Sequence, residues 1–140
     1  MINKIQKLQF ELMKEASFND FNGEKVVKDL EAHEDLWDGV VMDREGFVSK
    51  SDIPGNGPFS MGSSIDLIKL RDIGSECWNV DTVYILPSDH ATEEDLEKLE
   101  LLAKSWSADE VDWIEGKEAQ HKLGCGGAGN PSKILRVWWD

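Results

Sequence analysis

The sequence is poor in several residue types, and each scarcity argues against a class of protein. Its 140 residues include only 2 cysteines, too few for a scaffold held together by disulfide bonds. No uninterrupted run of apolar residues is longer than four, so we expect neither a membrane-spanning segment nor a signal peptide. These absences predict a soluble protein of the cytoplasm.

Positive charge is also scarce. The chain has 15 Lys and Arg against 28 Asp and Glu, which gives a net charge of −13, and its arginines are Arg44, Arg71 and Arg136. Because affinity for nucleic acids and for anionic membranes depends on Lys and Arg, we expect neither as a direct partner. Residues 89–118 hold eleven acidic residues against three lysines, and such a field favours association with a basic protein. The alternative is that net charge only keeps a small domain in solution.

What the chain does contain is enough apolar material for a core. Its hydrophobic fraction is 40%, with 6 Trp and 5 Phe, which argues against intrinsic disorder. At this length we expect a single globular domain over residues 1–140.

The periodicity of apolar residues predicts both helices and strands. Apolar residues at helical spacing predict helices near 3–16, 23–35 and 93–106, with a short helical turn at 117–123. Short β-branched or alternating segments predict strands near 39–42, 47–50, 80–86, 109–115 and 133–139. Residues 63–73 fit either type, and their three isoleucines favour a strand. We therefore predict an α+β or small α/β fold, with a mixed sheet of about five strands partly covered by three to four helices. The segment 80–115 should form one β-α-β crossover.

The glycine-rich segment resembles a nucleotide-binding motif only in its letters. Gly124, Gly126 and Gly129 have G-x-G-x-x-G spacing. A dinucleotide site needs this pattern between a strand and a helix, with an acidic residue about twenty positions later. Here a strand follows, and eleven residues remain after Gly129. We interpret the segment as a flexible connection and expect no cofactor.

The best catalytic candidates are Ser88, Asp89 and His90, which lie between a predicted strand and a predicted helix. If strands 80–86 and 109–115 are parallel, these side chains lie at the carboxyl edge of the sheet, where Glu115 and His121 could join them. The alternative, which we favour, is that they form an ordinary turn before a helix.

The sequence shows no metal site. His33, His90 and His121 are far apart, and no H-E-x-x-H or C-x-x-C motif is present. We expect His33 to be partly buried beside Leu30. The oxygen and nitrogen donors clustered in residues 31–35 can be explained without a metal ion. Cys77 and Cys125 can be explained without a redox role.

Tryptophan is unusually frequent, and Trp138 and Trp139 are adjacent on one predicted strand. Adjacent strand residues point to opposite faces, so at least one of the two is a candidate for a subunit or partner contact. The alternative is a second layer of helices that covers that face.

Two functions from different classes fit these observations. The first, which we favour, is a non-catalytic interaction protein, such as an inhibitor or immunity-like protein, that binds a basic partner such as a toxin or nuclease. The second is a small enzyme or small-ligand binder with a site near Ser88, Asp89 and His90. Self-association through the last strand is compatible with both. The residues that we expect to bind the partner are Glu93, Glu94, Asp95, Glu97, Asp109, Glu110, Asp112, Glu115, Trp113, Trp138 and Trp139.

Overall fold

The computed structural model describes residues 2–44, 70–75, 80–124 and 133–140. Its helices are α1 (Lys4–Lys14), α2 (Gly23–Ala32), α3 (Leu70–Ser75), α4 (Glu93–Lys104) and α5 (Gly116–Leu123), with a 3-10 helix at Glu34–Leu36. Its strands are β1 (Ser17–Phe18), β2 (Phe21–Asn22), β3 (Trp37–Asp43), β4 (Thr82–Pro87), β5 (Glu110–Ile114) and β6 (Ile134–Trp138). In these ranges, no helix has the length and apolar character needed to span a membrane.

Among the described residues, the main sheet has four strands in the order β3-β4-β6-β5, and β1 pairs with β2 in a separate ribbon. Every described ladder of this sheet is antiparallel, and the α+β class is confirmed. The parallel pairs that a mixed sheet would contain do not occur among the described strands. Since β4 and β5 are both antiparallel to β6, they run in the same direction. Helix α4 joins them, so the predicted crossover is a split β-α-β unit with β6 inserted between its strands.

One face of the sheet carries the main core. Alternate residues of β4 and β6 point to this face, where α1, α2 and α4 pack on them. The Trp139 ring stacks on Phe21 with centroids 4.1 Å apart, and its Nε1 donates to the Trp106 carbonyl at 3.0 Å. The opposite face is covered in part by α5, through Ala119 and Leu123.

Polar residues at the helix starts explain where the helices begin. The Asn3 and Asn22 side chains accept hydrogen bonds from the first turns of α1 and α2, and Thr92 forms a capping box with Asp95 at the start of α4. Gly23 permits the tight junction of α1 and α2, because a Cβ there would lie 1.8 Å from the Met13 carbonyl oxygen.

Among the described strands β3 lies at one end of the sheet, and a side chain binds the side of β3 that faces away from β4. Gln6 on α1 donates from Nε2 to the Val40 carbonyl at 2.8 Å, and its Oε1 accepts from the Val40 N–H at 2.8 Å. The carboxamide thus takes the place that a neighbouring strand would fill. Unpaired strand edges favour association, so Gln6 protects this edge.

Three expectations need correction. Residues 70–75 form a helix rather than a strand, because Leu70 and Ile73 have helical spacing and are exposed instead of buried on two faces. Helix α2 ends at Ala32, and His33 is exposed, with Nδ1 2.8 Å from the Asp29 carbonyl oxygen. The β6 strand lies between β4 and β5, so it has no free edge through which a second copy could pair.

Several predictions fall outside the described residues. These are the strand at 47–50, the loop at 51–62, the first part of the 63–73 segment, and the glycine segment beyond Gly124. Gly124 itself ends α5 in the left-handed conformation, with φ of 80°.

Candidate functional site

The acidic residues of the 89–118 segment do not gather on one side of the molecule. Glu93, Glu94 and Glu97 are exposed on α4, which covers the main core. Val111 and Trp113 of β5 pack against that core, so the alternating Glu110 and Asp112 point to the opposite face of the sheet. The predicted binding set is therefore divided between two surfaces.

The carboxylates on β5 already have a cation. Arg136 Nη1 lies 2.9 Å from Glu110 Oε2 and 3.0 Å from Asp112 Oδ1. At the end of the same strand, Glu115 pairs with Lys133 at 3.3 Å. This surface therefore offers less uncompensated negative charge than its sequence suggests.

Two further acidic residues of the predicted set have local structural roles. Asp109 Oδ2 accepts from the Asp140 N–H at 2.8 Å. Asp95 Oδ2 accepts from the Thr92 N–H at 3.0 Å, and this bond, together with one from the Thr92 side chain, holds the pKa of Asp95 below its ordinary value. Both carboxylates are committed to backbone groups.

The exposed carboxylates of α4 gain new neighbours from a distant part of the chain. Antiparallel pairing of β3 with β4 brings the 3-10 helix beside the turn that precedes α4, and the Ser88 N–H donates to the Leu36 carbonyl at 3.0 Å. Asp38 Oδ2 accepts from the Asp89 N–H, also at 3.0 Å. We call the resulting surface the acidic end; its exposed members are Glu34, Asp35, Asp38, Asp89, Glu93, Glu94 and Glu97.

Sequence reasoning did not connect Glu34, Asp35 and Asp38 with a binding surface, and it named Asp89 as a catalytic candidate rather than as a binding residue. The donor-rich run at 31–35 was visible, but its proximity to residues 89–97 depends on the pairing of β3 with β4, which are separated by about forty residues in the chain. One member of the acidic end has a neighbouring cation: Glu94 Oε1 lies 3.8 Å from Lys98 Nζ.

Most described tryptophans serve the core. Trp37 Nε1 donates to the Leu30 carbonyl at 2.9 Å, and Trp106 Nε1 donates to Asp29 Oδ2 at 2.8 Å. Trp139 is 0% exposed, so it offers no surface to a partner. Trp78 lies outside the described residues.

The contact with Trp106 also affects the charge of Asp29. Burial raises the pKa of this carboxyl, but the hydrogen bonds from Trp106 and from Lys25 outweigh burial and hold the pKa below its ordinary value. The Asp29 carboxylate therefore links α2 to the end of α4 in its charged form.

Trp113 and Trp138 are half-buried. Trp113 Nε1 donates to Glu100 Oε1 at 2.9 Å. Trp138 lies on the face opposite the main core, with the Arg136 guanidinium 5.7 Å from its ring centroid. Its Nε1 is shielded from water and has no hydrogen-bond partner in the described part of the chain. Among the described tryptophans that were predicted to contact a partner, Trp138 is the one whose indole N–H has no acceptor in the described residues.

The predicted catalytic residues form a turn. The His90 N–H donates to Ser88 Oγ at 3.3 Å, and among the described residues no hydrogen bond joins two of the side chains of Ser88, Asp89 and His90. Asp89 and His90 are exposed. The ends of β4 and β5 do lie at the same end of the sheet, but β6 separates them, and His121 is exposed on α5. Backbone-directed contacts of this kind are typical of a turn before a helix.

Within the described residues, no group of three or more His, Cys, Asp or Glu side chains is arranged to hold a metal ion. Cys77 and Cys125 lie outside those residues. Comparison of the chain with protein-family models, with curated proteins and with solved structures found no match.

Proposed function

We propose that the protein is a non-catalytic interaction protein that binds a basic protein partner through its acidic end. The observation that supports this proposal is the convergence of seven exposed carboxylates from two distant segments, Glu34–Asp38 and Asp89–Glu97. A partner that presents Lys and Arg, such as a nuclease or a toxin with a phosphate-binding surface, would complement this charge. A cytoplasmic location, as expected from the sequence, belongs to the same proposal.

The division of the acidic residues decides which surface we assign to the partner. Removing Arg136 from its two carboxylates would leave unpaired charges, so the β5 surface has to give up existing contacts before it binds a cation. Glu93 and Glu97 have no cation partner among the described residues. Binding through Glu93 and Glu97 therefore does not require an ion pair of the described residues to be broken.

The test is affinity capture from an extract of the source cells, followed by measurement of the dissociation constant with the purified partner. We expect a partner rich in Lys and Arg, whose affinity falls steeply as the salt concentration rises, because exposed charges are screened within about 8 Å at physiological ionic strength. A partner that is acidic, or whose affinity is independent of salt, would contradict the proposal.

A pair of variants with the same net charge tests the surface. The triple variant Asp35→Asn, Glu93→Gln, Glu97→Gln removes charge from the acidic end. The control Glu110→Gln, Asp112→Asn, Glu115→Gln removes the same charge from the other surface. At about 0.2–1 kcal/mol for each exposed pair, the first variant should weaken binding by roughly threefold to a hundredfold. The control should change it less than about twofold; equal losses would show that only total charge matters.

A further inference from the structure

Helix α1 carries a stripe of apolar side chains that remains exposed. Ile5, Leu8 and Leu12 recur every three or four residues along one side of the helix and are 75%, 57% and 43% exposed. Val41 of β3, which is 45% exposed, extends this surface, because it and Ile5 line the same cavity between α1, β3 and α5. We call these four residues the α1 stripe.

The α1 stripe contains most of the exposed apolar side chains of the described residues. Large exposed apolar side chains number seven in that part of the chain, and four of them belong to the stripe. Single exposed apolar residues are ordinary on protein surfaces, whereas adjoining ones usually mark a contact with another molecule. The spacing of Ile5, Leu8 and Leu12 is also that of a helix that packs along a second helix. We therefore treat the stripe as a surface for helix packing.

The charge of α1 separates this surface from the acidic end. Residues 4–14 contain three lysines and one glutamate, in a chain whose net charge is −13. The basic partner that we assign to the acidic end would meet mainly lysines here, and like charge disfavours that contact. The occupant of the α1 stripe should therefore differ from the partner of the acidic end.

Two opposite charges lie along one edge of the stripe. Lys4 and Glu11 are both exposed and lie about two helical turns apart, roughly 10 Å along the axis. When two copies of α1 pack antiparallel about a twofold axis near Leu8, Lys4 of each copy faces Glu11 of the other, so two ion pairs form. Parallel packing would place this edge against the opposite one, where Gln9 offers no charge. The stripe is thus self-complementary in the antiparallel orientation.

Both charged groups are available for such a contact. Lys4 has no ion pair among the described residues. Glu11 Oε1 lies 2.9 Å from Lys14 Nζ, in an exposed pair between residues three positions apart on the same helix. Pairs of this kind contribute little to stability, and a carboxylate can accept from two cations through its two oxygens. The new ion pairs therefore require no interior contact to be broken.

We propose that a second copy of this protein covers the α1 stripe, in a symmetric dimer in which the two α1 helices pack antiparallel. The dimer goes beyond the proposed function, since no residue of the stripe belongs to the acidic end. It also differs from self-association through the last strand, because β6 takes no part in it. Four apolar side chains from each copy make a small interface, so we expect a weak dimer, with a dissociation constant on the order of 10–100 µM.

Sedimentation velocity of the whole chain over a range of about 5–500 µM measures this constant. A reducing agent keeps Cys77 and Cys125 from cross-linking the copies. Higher salt should strengthen the dimer or leave it unchanged, because salt screens the repulsion between two chains that each carry a net charge of −13. Binding of a basic partner at the acidic end should instead weaken with salt, so failure of one proposal can be distinguished from failure of the other.

A pair of variants with the same change in charge locates the interface. Leu8→Glu places a carboxylate close to the twofold axis in each copy and should weaken the dimer by about thirtyfold or more. Leu101→Glu makes the same change at a side chain on α4 that is 66% exposed, and it should alter the dissociation constant by less than about twofold. Far-UV circular dichroism checks that both variants are folded.

Exchange of the two edge charges tests the orientation. Lys4→Glu and Glu11→Lys should each weaken the dimer by about threefold or more, because like charges then face each other. The double variant keeps the net charge of the chain and should restore the affinity. A mixture of the two single variants should form heterodimers in preference to either homodimer. Lys4→Glu also places an acidic group in the first turn of α1, which stabilises a helix, so its weaker dimer cannot result from a less stable α1.

Several results would overturn the proposal. One is a monomer at all concentrations, a measurement that does not depend on any variant. Another is a dimer that Leu8→Glu and Leu101→Glu weaken equally, or a mixture of the edge-charge variants without preference for heterodimers. A monomer whose free energy of unfolding falls more with Leu8→Glu than with Leu101→Glu would assign the stripe to a contact within one chain. A monomer that binds a different protein through Leu8 would assign the stripe to that protein.

Discussion

The clearest test of how the sheet is held together is the substitution Gln6→Leu. Gln6 is buried, at 8% exposure, and its carboxamide makes two hydrogen bonds of 2.8 Å with the backbone of Val40 on strand β3. Leucine keeps the apolar part of the side chain and the helical propensity of α1, so the substitution removes chiefly these two bonds.

The expected loss follows from the two backbone groups that remain. The Val40 N–H and carbonyl would be buried without partners, and each such group costs about 1–3 kcal/mol. Allowing for partial access of water at the edge, we expect the free energy of unfolding to fall by about 2–4 kcal/mol. For a domain of this size the melting temperature should fall by roughly 6–15 °C.

Gln9→Leu is the matched control, since it makes the same chemical change three residues later on the same helix. Gln9 Oε1 has no partner in the described residues, so its removal should cost less than about 0.5 kcal/mol or should stabilise the protein. Urea denaturation followed by far-UV circular dichroism measures both values. Equal destabilisation by the two variants would refute the argument that hydrogen bonding to β3 is the function of Gln6.

Two further predictions concern the helix junction and acid stability. Gly23→Ala should destabilise the protein by about 3 kcal/mol or more, because its Cβ would meet the Met13 carbonyl oxygen at 1.8 Å, whereas Gly39→Ala, with nothing within 4 Å, should be nearly neutral in the same urea denaturation. Asp29 has a lowered pKa, so its charged form stabilises the folded state above its unfolded pKa of about 3.8, and this contribution is lost as the pH falls through the folded value. Asp29→Asn should therefore be less stable than the unmodified protein at pH 7, by about 1 kcal/mol, and the difference should shrink towards about pH 2; a difference that is constant with pH would contradict this assignment.

Local signals in the sequence were sufficient for most elements. The apolar spacing of α1, α2 and α4, with the caps Asn22 and Thr92, predicts helices that the structure contains, and the β-branched residues of β4 predict a strand. The helix at 70–75 was missed because apolar residues at both alternating and helical positions make short segments ambiguous.

The order of the strands and the acidic end were beyond such signals. Nothing local indicates that β6 lies between β4 and β5, or that β3 pairs with β4, and these pairings determine which carboxylates meet. The distribution of the acidic residues over two surfaces was easier to predict from the sequence. The alternation of Glu110, Val111, Asp112 and Trp113 implies that Glu110 and Asp112 point away from the core. The ion pairs of Glu110 and Asp112 with Arg136 could not be predicted, because they depend on the register of β5 with β6.

The insertion of β6 between two strands that precede it has a consequence for how the chain folds. Among the described strands, β5 pairs only with β6, so a nascent chain that has produced β4, α4 and β5 has no ladder for β5 to join. During that interval β4 also has an open side, with buried residues such as Val83 and Ile85 not yet covered by their β6 neighbours. Closure of the sheet is thus a late, long-range event, and such events slow folding and expose apolar segments to aggregation.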